Sequence, residues 1–219
     1  MVEGNFYCNW DLIKTAYREK RLLVYVDGST GSPLAFLWEN SFDSQIIAVR
    51  YEYRGQCIGR KLVERCIELA KKQGLCLLKV ECKPRVSKGF WLKMGFKYFD
   101  EKNNQLYAYK ILDKKLSYAE IGRVIDVAIK VYDRSFDWNK SQLPKEVFEV
   151  EGALVSDGFV YLLRRVVIVG YHDVVIEIIV DGKCIYQGKA KYDKAEALGL
   201  QGCRHGYYLD TINDVVEEG

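Results

Sequence analysis

The chain is poor in proline and histidine, and each shortage excludes something. Only three prolines occur in 219 residues, and no segment is of low complexity. Disorder is therefore expected only at the acidic end NDVVEEG. The two histidines, His172 and His205, are too few for most metal sites. Cys203-Arg204-His205 offers two soft ligands with no partner pair nearby, so no metal is expected. No apolar run reaches the roughly 18 residues that a membrane-spanning helix needs, so no membrane partner is expected. The opening MVEGNFYCNWD carries acids and polar groups where a signal peptide carries basic and then apolar ones. The seven cysteines are odd in number and form no CxxC pair. They read as reduced, mostly buried thiols of a cytoplasmic protein.

What is present is apolar material and a divided charge. Apolar residues make up 49% of the chain, enough for a packed core. The net charge of +3 splits between a basic first half, 1–112, with 19 Lys/Arg against 12 Asp/Glu, and an acidic second half with 14 against 18. The basic half should attract an anionic ligand, whether a cofactor or a nucleic acid.

The pattern along residues 1–112 predicts a mixed α/β domain. RLLVYVD and SPLAFLWEN read as strands joined by the turn GSTG, and SQIIAVRYEY as a third strand. GRKLVERCIELAKKQG carries apolar residues at 62, 63, 66, 67, 69 and 70, the stripe of an amphipathic helix, closed by Gly74. LCLLKVEC has the continuous apolar character of a central strand buried on both faces. A strand, crossover helix and second strand in this order predict a parallel, right-handed unit. SKGFWLKMG reads as a short helix stopped by Gly95, and FKYFDEKNNQLYAYKIL as two strands around EKNN.

Residues 113–219 read as a second α+β domain. LSYAEIGRVIDVAIKVYDRSF opens with Ser117 and Glu120 at capping-box spacing, which predicts a helix. Four strand-like runs follow, VFEVEGALV, FVYLLRRVVIVG, DVVIEIIV and KCIYQGKAKY, with Asp181-Gly182 as a hairpin signal and a short helix near KAEALGL. Arg164 and Arg165 interrupt an apolar strand and point to opposite faces, so an internal ion pair with an acid is expected. This domain is a candidate for substrate recognition or for a homodimer interface.

The chemistry concentrates at YRGQCIGRK. A strand-to-helix turn leaves the first helical amides without internal partners at the positive end of the dipole. Gly55 and Gly59 let the backbone approach a ligand, and Arg54, Arg60 and Lys61 add positive charge. That combination suits a pyrophosphate.

Together with GFWLKMGFK some thirty residues on, YRGQCIGRKLVE resembles the GNAT superfamily of acyl-CoA-dependent N-acyltransferases over about residues 20–110. The family's signature, Gln/Arg-x-x-Gly-x-Gly/Ala, is matched by Arg54 and Gly59, and its second landmark by Phe90-Trp91 and Gly95-Phe96. The resemblance implies the GNAT fold, a mixed and mostly antiparallel sheet with a parallel strand–helix–strand core, followed by the C-terminal helix and antiparallel meander. It also implies acetyl-CoA as acyl donor, held by Val49, Tyr51, Arg54, Gly55, Gln56, Cys57, Ile58, Gly59, Arg60 and Lys61. The acceptor would be a primary amine on a protein or small molecule, or an aminoacyl-tRNA. A catalytically inactive binding module acting through protein partners is the alternative.

Two departures bear on activity. Cys57 replaces the signature's middle glycine, which costs on the order of 1 kcal/mol if φ is positive there. With a negative φ it costs nothing, and tolerance of Cys57 is the expectation. Trp91 stands where family members often carry the tyrosine that protonates the departing thiolate, and an indole N–H is not a usable acid. Acyl transfer also needs a neutral amine and a polarised carbonyl. The resemblance gives the second task to a backbone amide near Val49 to Tyr51. Glu52 and Glu81 are the candidate bases. Tyr98, Tyr53 and Cys82 are the candidate acids.

Overall fold

The computed structural model describes residues 10–38, 46–117, 122–133, 142–156, 158–170 and 174–213. Cys8, Glu120, His172 and the acidic end lie outside them. The chain divides into two compact units, residues 1–112 and 113–219.

In the first unit, helix α1 (Trp10–Arg18) precedes a three-stranded antiparallel sheet of β1 (Leu22–Val26), β2 (Pro33–Trp38) and β3 (Ile46–Val49). The β1–β2 turn is organised by Asp27. Its carboxylate accepts hydrogen bonds from the Ser29 hydroxyl at 2.5 Å and from the Thr30 and Ser29 amides at 2.8 and 2.9 Å. These bonds, the Ser29 hydroxyl first, lower its pKa to about 2. The strand expected to run through Tyr53 stops at Val49, and Tyr51–Tyr53 forms one 3₁₀ turn.

Helix α2 (Ile58–Lys72) follows and buries Ile58, Leu62, Val63, Cys66 and Ala70. It ends as Gly74 predicts: Gly74 has φ 76°, its amide bonds to Lys71 O at 3.0 Å, and Leu75 N bonds to Ala70 O at 3.0 Å. That is the paired closure in which a left-handed residue satisfies the last carbonyls. Strand β4 (Leu77–Glu81), helix α3 (Lys88–Lys93), β5 (Tyr98–Lys102) and β6 (Gln105–Ile111) complete the unit. These strands form an antiparallel sheet in the order β4-β6-β5, with Asn103 and Asn104 both at positive φ in the β5–β6 turn.

Two expectations are corrected here. β3 and β4 belong to different sheets, and every ladder among the described residues is antiparallel, so no parallel β3–β4 ladder forms there. β4 is also not buried on both faces throughout, since Lys79 and Glu81 alternate half-exposed against buried Leu78 and Val80. One core joins the faces of both sheets to α2 and α3, with Leu37, Val63, Val80 and Phe96 fully enclosed.

The second unit is a seven-stranded antiparallel sheet in the order β11-β10-β7-β8-β9-β13-β12. The expected helix after Ser117 is absent where the residues are described, and Arg123–Tyr132 is strand β7. The reason is in the side chains: Ile125, Val127, Ile129 and Val131 are buried in strict alternation, the two-residue period of a strand. β8 (Glu146–Leu154), β9 (Val160–Val169), β10 (Val175–Val180) and β11 (Lys183–Lys189) follow the four strand-like runs, with Asp181 and Gly182 at φ 47° and 78° between the last two. Helix α4 (Asp193–Ala197) precedes two strands not foreseen from the sequence, β12 (Gln201–Cys203) and β13 (Gly206–Ile212).

The arginine pair resolves as its alternation requires. Arg165, with its side chain 8% exposed, forms two bonds to Asp210 at 2.7 and 2.6 Å and stacks on Tyr208 at 4.1 Å. Arg164 is exposed and donates to Glu149 O at 2.9 Å. Cys57, Cys66, Cys82 and Cys184 are free thiols. Cys76 and Cys203 are each engaged in a disulfide, which corrects the all-thiol reading, because spacing alone does not say which sulfurs meet a partner.

Candidate functional site

The turn between β3 and α2 leaves its polar backbone open. The amide of Arg50 is spent on Leu34 O at 3.0 Å, and those of Tyr53 and Arg54 close the 3₁₀ turn. Among the described residues, the amides of Tyr51, Gln56, Cys57, Ile58, Gly59 and Arg60 donate to no protein acceptor, and the first helical bond runs from Lys61 N to Cys57 O at 3.1 Å. Gly55 has φ 81° and Cys57, at the helix start, has φ 59° and ψ 9°. The structure therefore takes the strained branch for Cys57, at a cost on the order of 1 kcal/mol. The chain must turn sharply to aim successive amides outward, and that needs left-handed residues.

Charge follows the same arrangement. The first turn of α2 holds Arg60 and Lys61 and no acid, although the positive end of a helix dipole favours acids. Arg54, Gln56, Cys57, Arg60 and Lys61 are all exposed. Arg54 is anchored by a bond from Nε to Val49 O at 3.2 Å and lies 5.3 Å from the exposed Tyr51 ring. Lys61 Nζ is held 3.3 Å from the Tyr25 hydroxyl.

Gly59 plays a different part from Gly55. A Cβ on Gly59 would meet Val49, Ile47 and Phe90 side-chain atoms at 3.6–3.7 Å, ordinary contact distances. Its open side therefore faces the junction of β3, α2 and α3. At Gly55, a Cβ would meet nothing within 4 Å.

The candidate catalytic residues do not converge. Glu52 lies in the 3₁₀ turn beside the open amides, with its side chain 66% exposed and 3.9 Å from Arg50. Tyr53 is half-buried beneath Arg50. Glu81 and Tyr98 share one face of the β4-β6-β5 sheet, Glu81 opposite Tyr107 and Tyr98 opposite Tyr109. Strand spacing separates them by roughly 12 Å. Leu78, Val80 and Phe99, which alternate with them, pack with Ile58 and Trp91. Glu81 and Tyr98 thus sit on the sheet face turned away from α2 and α3. The cause is the two-residue period of a strand. Glu81 is only half-buried.

Cys82 is 2% exposed at the end of β4, and burial pushes its thiol up, with Lys88 opposing and Glu81 reinforcing the shift. Trp91 is 3% exposed, packed edge-on against Phe90 at 5.0 Å and Phe96 at 5.1 Å. The indole is part of the core.

Residues 18–98 match the family model described as the acetyltransferase (GNAT) domain. This segment is a GNAT acetyltransferase domain. Among solved structures, a GNAT-family acetyltransferase from Staphylococcus aureus Mu50 aligns at 17% identity and TM-score 0.38, over 47% of this chain and 75% of that one. Ard1 from Thermoplasma volcanium aligns at 17% identity and TM-score 0.39, over 51% of this chain and 84% of that one. A search of curated proteins finds no match. The match ends at residue 98, before β6 and the second unit, so it says nothing about residues 113–219. The GNAT family implies an acyl-CoA donor and an acceptor substrate. The open amides and bases at 54–61 fit such a donor by their chemistry: unpaired N–H groups and cations suit a pyrophosphate. Among the described residues no helix is long and apolar enough to cross a membrane.

Proposed function

We propose that the chain is an acetyl-CoA-dependent N-acetyltransferase acting on a primary amine, with a protein amine as the favoured acceptor. The observation that carries this reading is the run of open amides from Gln56 to Arg60 beneath Arg54, Arg60 and Lys61. In this reading those amides bind the pyrophosphate of the donor, and the three cations neutralise its charge. The open amide of Tyr51 polarises the acetyl carbonyl where negative charge develops. Glu52, one residue further, takes the amine's proton through water. The bound donor supplies an activated acetyl thioester. The acidic second unit, by its charge, favours a cationic acceptor over a nucleic acid. It is proposed as the acceptor-recognition unit, with a homodimer interface as its other role. Supply of the donor inside cells supports a cytoplasmic setting.

A second reading, a GNAT-fold binding module without transfer, is favoured by one observation: Trp91 is locked in the core and cannot act as the acid. Calorimetry with acetyl-CoA and then CoA, followed by an assay of thiol release with lysine-containing peptides, small amines and aminoacyl-tRNA, separates these readings. Micromolar binding with turnover on peptides is the expected result. Binding without turnover on any acceptor favours the module. Absence of binding overturns the assignment of the turn.

A further inference from the structure

The seven-stranded sheet of the second unit has two faces of different character. Ile125, Val127 and Ile129 of β7, and Val160 and Leu162 of β9, point into the core. The residues that alternate with the core positions along β7, β8 and β9 point the other way. Val124, Asp126, Val147, Glu149, Glu151 and Leu163 are all exposed there.

The register sets these side chains in rows. Thr211, Tyr161, Ala153 and Val124 stand opposite one another across β13, β9, β8 and β7. In the next row Glu151 faces Asp126 directly, and Glu149 follows opposite Ala128. Like charges placed directly opposite in a sheet are destabilising. Among the described residues no lysine or arginine forms an ion pair with these three carboxylates. Arg123, Lys130 and Arg165 are taken by Asp181, Glu177 and Asp210, and Arg164 donates to the Glu149 carbonyl.

The row through Tyr161 and Thr211 borders a cavity of about 290 Å³. The Phe159 and Tyr161 rings line it, 6.3 Å apart and tilted by 33°, with Gln201, Asp210, Thr211 and Asn213 as its polar lining. Ring faces and acceptor oxygens together suit a cation that carries hydrogen-bond donors. The size lies at the small end of ligand sites, right for a side chain. Arg165 already meets the charge of Asp210. The pull on a cation therefore comes from Glu151, diagonal to Tyr161 at roughly 7–8 Å, and from Asp126, roughly 12 Å away by strand spacing.

We propose that this face docks a basic, extended segment of a partner protein, with one lysine side chain in the cavity and further lysines on Glu151, Asp126 and Glu149. Unpaired carboxylates repel nucleic acid. Lysine stems cover apolar surface such as Val124 and Leu163 while their ammonium groups reach the acids. An extended chain spans 12 Å in about four residues, so one short segment reaches both the cavity and Asp126. The role of this docking rests on the acceptor-recognition reading above, but the binding itself needs no donor.

The test is fluorescence anisotropy of a labelled nine-residue peptide with lysine at alternate positions, titrated with the whole chain at low ionic strength. Asp126→Asn with Glu151→Gln should weaken binding about fivefold to tenfold, and Tyr161→Leu about threefold. Glu64→Gln with Glu68→Gln, the same change of charge on α2, should bind as the wild type does. The melting temperature of the Asp126→Asn, Glu151→Gln chain should stay level or rise, since opposed like charges are removed. No binding by the wild type, an equal loss in the α2 variant, or unchanged binding in either sheet variant would overturn the proposal. A peptide that docks through this face but is not acetylated in the presence of acetyl-CoA would uphold the docking face and overturn the acceptor reading instead.

Discussion

In residues 113–219 three pairs of opposite charge are matched within the sheet: Arg165 with Asp210, Lys130 with Glu177 at 3.4 Å, and Arg123 with Asp181 at 3.0 Å. In residues 1–112 the amides from Gln56 to Arg60 donate to no acceptor among the described residues, and Arg60 and Lys61 crowd the positive end of α2. These pairs of the second unit are used within it, while the turn at 54–61 in the first leaves its amides without protein partners among the described residues. Unspent amides and misplaced cations lower stability slightly, and they suit an anionic ligand that would satisfy both at once. Under the proposed function, that difference separates a region built for self-consistency from one built to receive a donor.

The strongest way to break this comparison is to remove one spent charge. Asp210→Ala leaves the Arg165 guanidinium, 8% exposed, without its carboxylate. Loss of one partner of such a pair should cost about 3 kcal/mol, read from urea unfolding. A cost below about 1 kcal/mol would mean the pair behaves as a surface contact. Reversing an unspent charge should act in two directions. Arg60→Glu puts an acid at the helix start and should raise stability by about 0.5 kcal/mol. It should also weaken acetyl-CoA binding at least tenfold, about 1.4 kcal/mol, measured by calorimetry. A variant that is stabilised and still binds normally would detach the turn from the donor.

A smaller effect is expected at Cys57. Replacing it with glycine relieves a left-handed residue at φ 59° and should stabilise the chain by about 1 kcal/mol, with donor binding unchanged or improved. Destabilisation would show that the side chain contributes more than its backbone costs. The mildest effect concerns Asp27, a polar group of the first unit that is fully spent. Its folded pKa near 2 lies below the usual 3.8. Its contribution is therefore present above about pH 4 and lost as pH falls through about 2. Asp27→Asn should flatten that acid limb in a pH series of unfolding curves, and NMR titration should place the wild-type carboxyl near pH 2.

Gly59→Trp, the obvious substitution for blocking the turn, is a poor probe. A large side chain there would collide with Val49, Ile47 and Phe90 inside the junction. Lost binding would then report damaged packing. Gly55 and Arg60, open to solvent, report on the site itself.

Much of the local structure was legible from residue chemistry. The stripe from Leu62 to Ala70 became the buried face of α2, and Gly74 and Gly95 closed their helices at positive φ. Asp181-Gly182 made its hairpin. The failure at 123–132 came from weighing a capping signal, Ser117 with Glu120, above a two-residue period that Ile125, Val127, Ile129 and Val131 already displayed. Glu81 and Tyr98 were chosen by nearness in sequence, which does not say which side of a sheet a residue occupies.

The sequence by itself determined the periods of burial, the helix stops, the tight turns and the family of residues 18–98, because each depends on side-chain type at short spacing. Only the tertiary structure decided that Cys57 is left-handed, that Trp91 belongs to the core and that Glu151 faces Asp126 across a sheet. Those outcomes depend on which segments meet across the fold. A backbone angle, a buried ring and an opposed pair of acids are each set by neighbours distant in the chain.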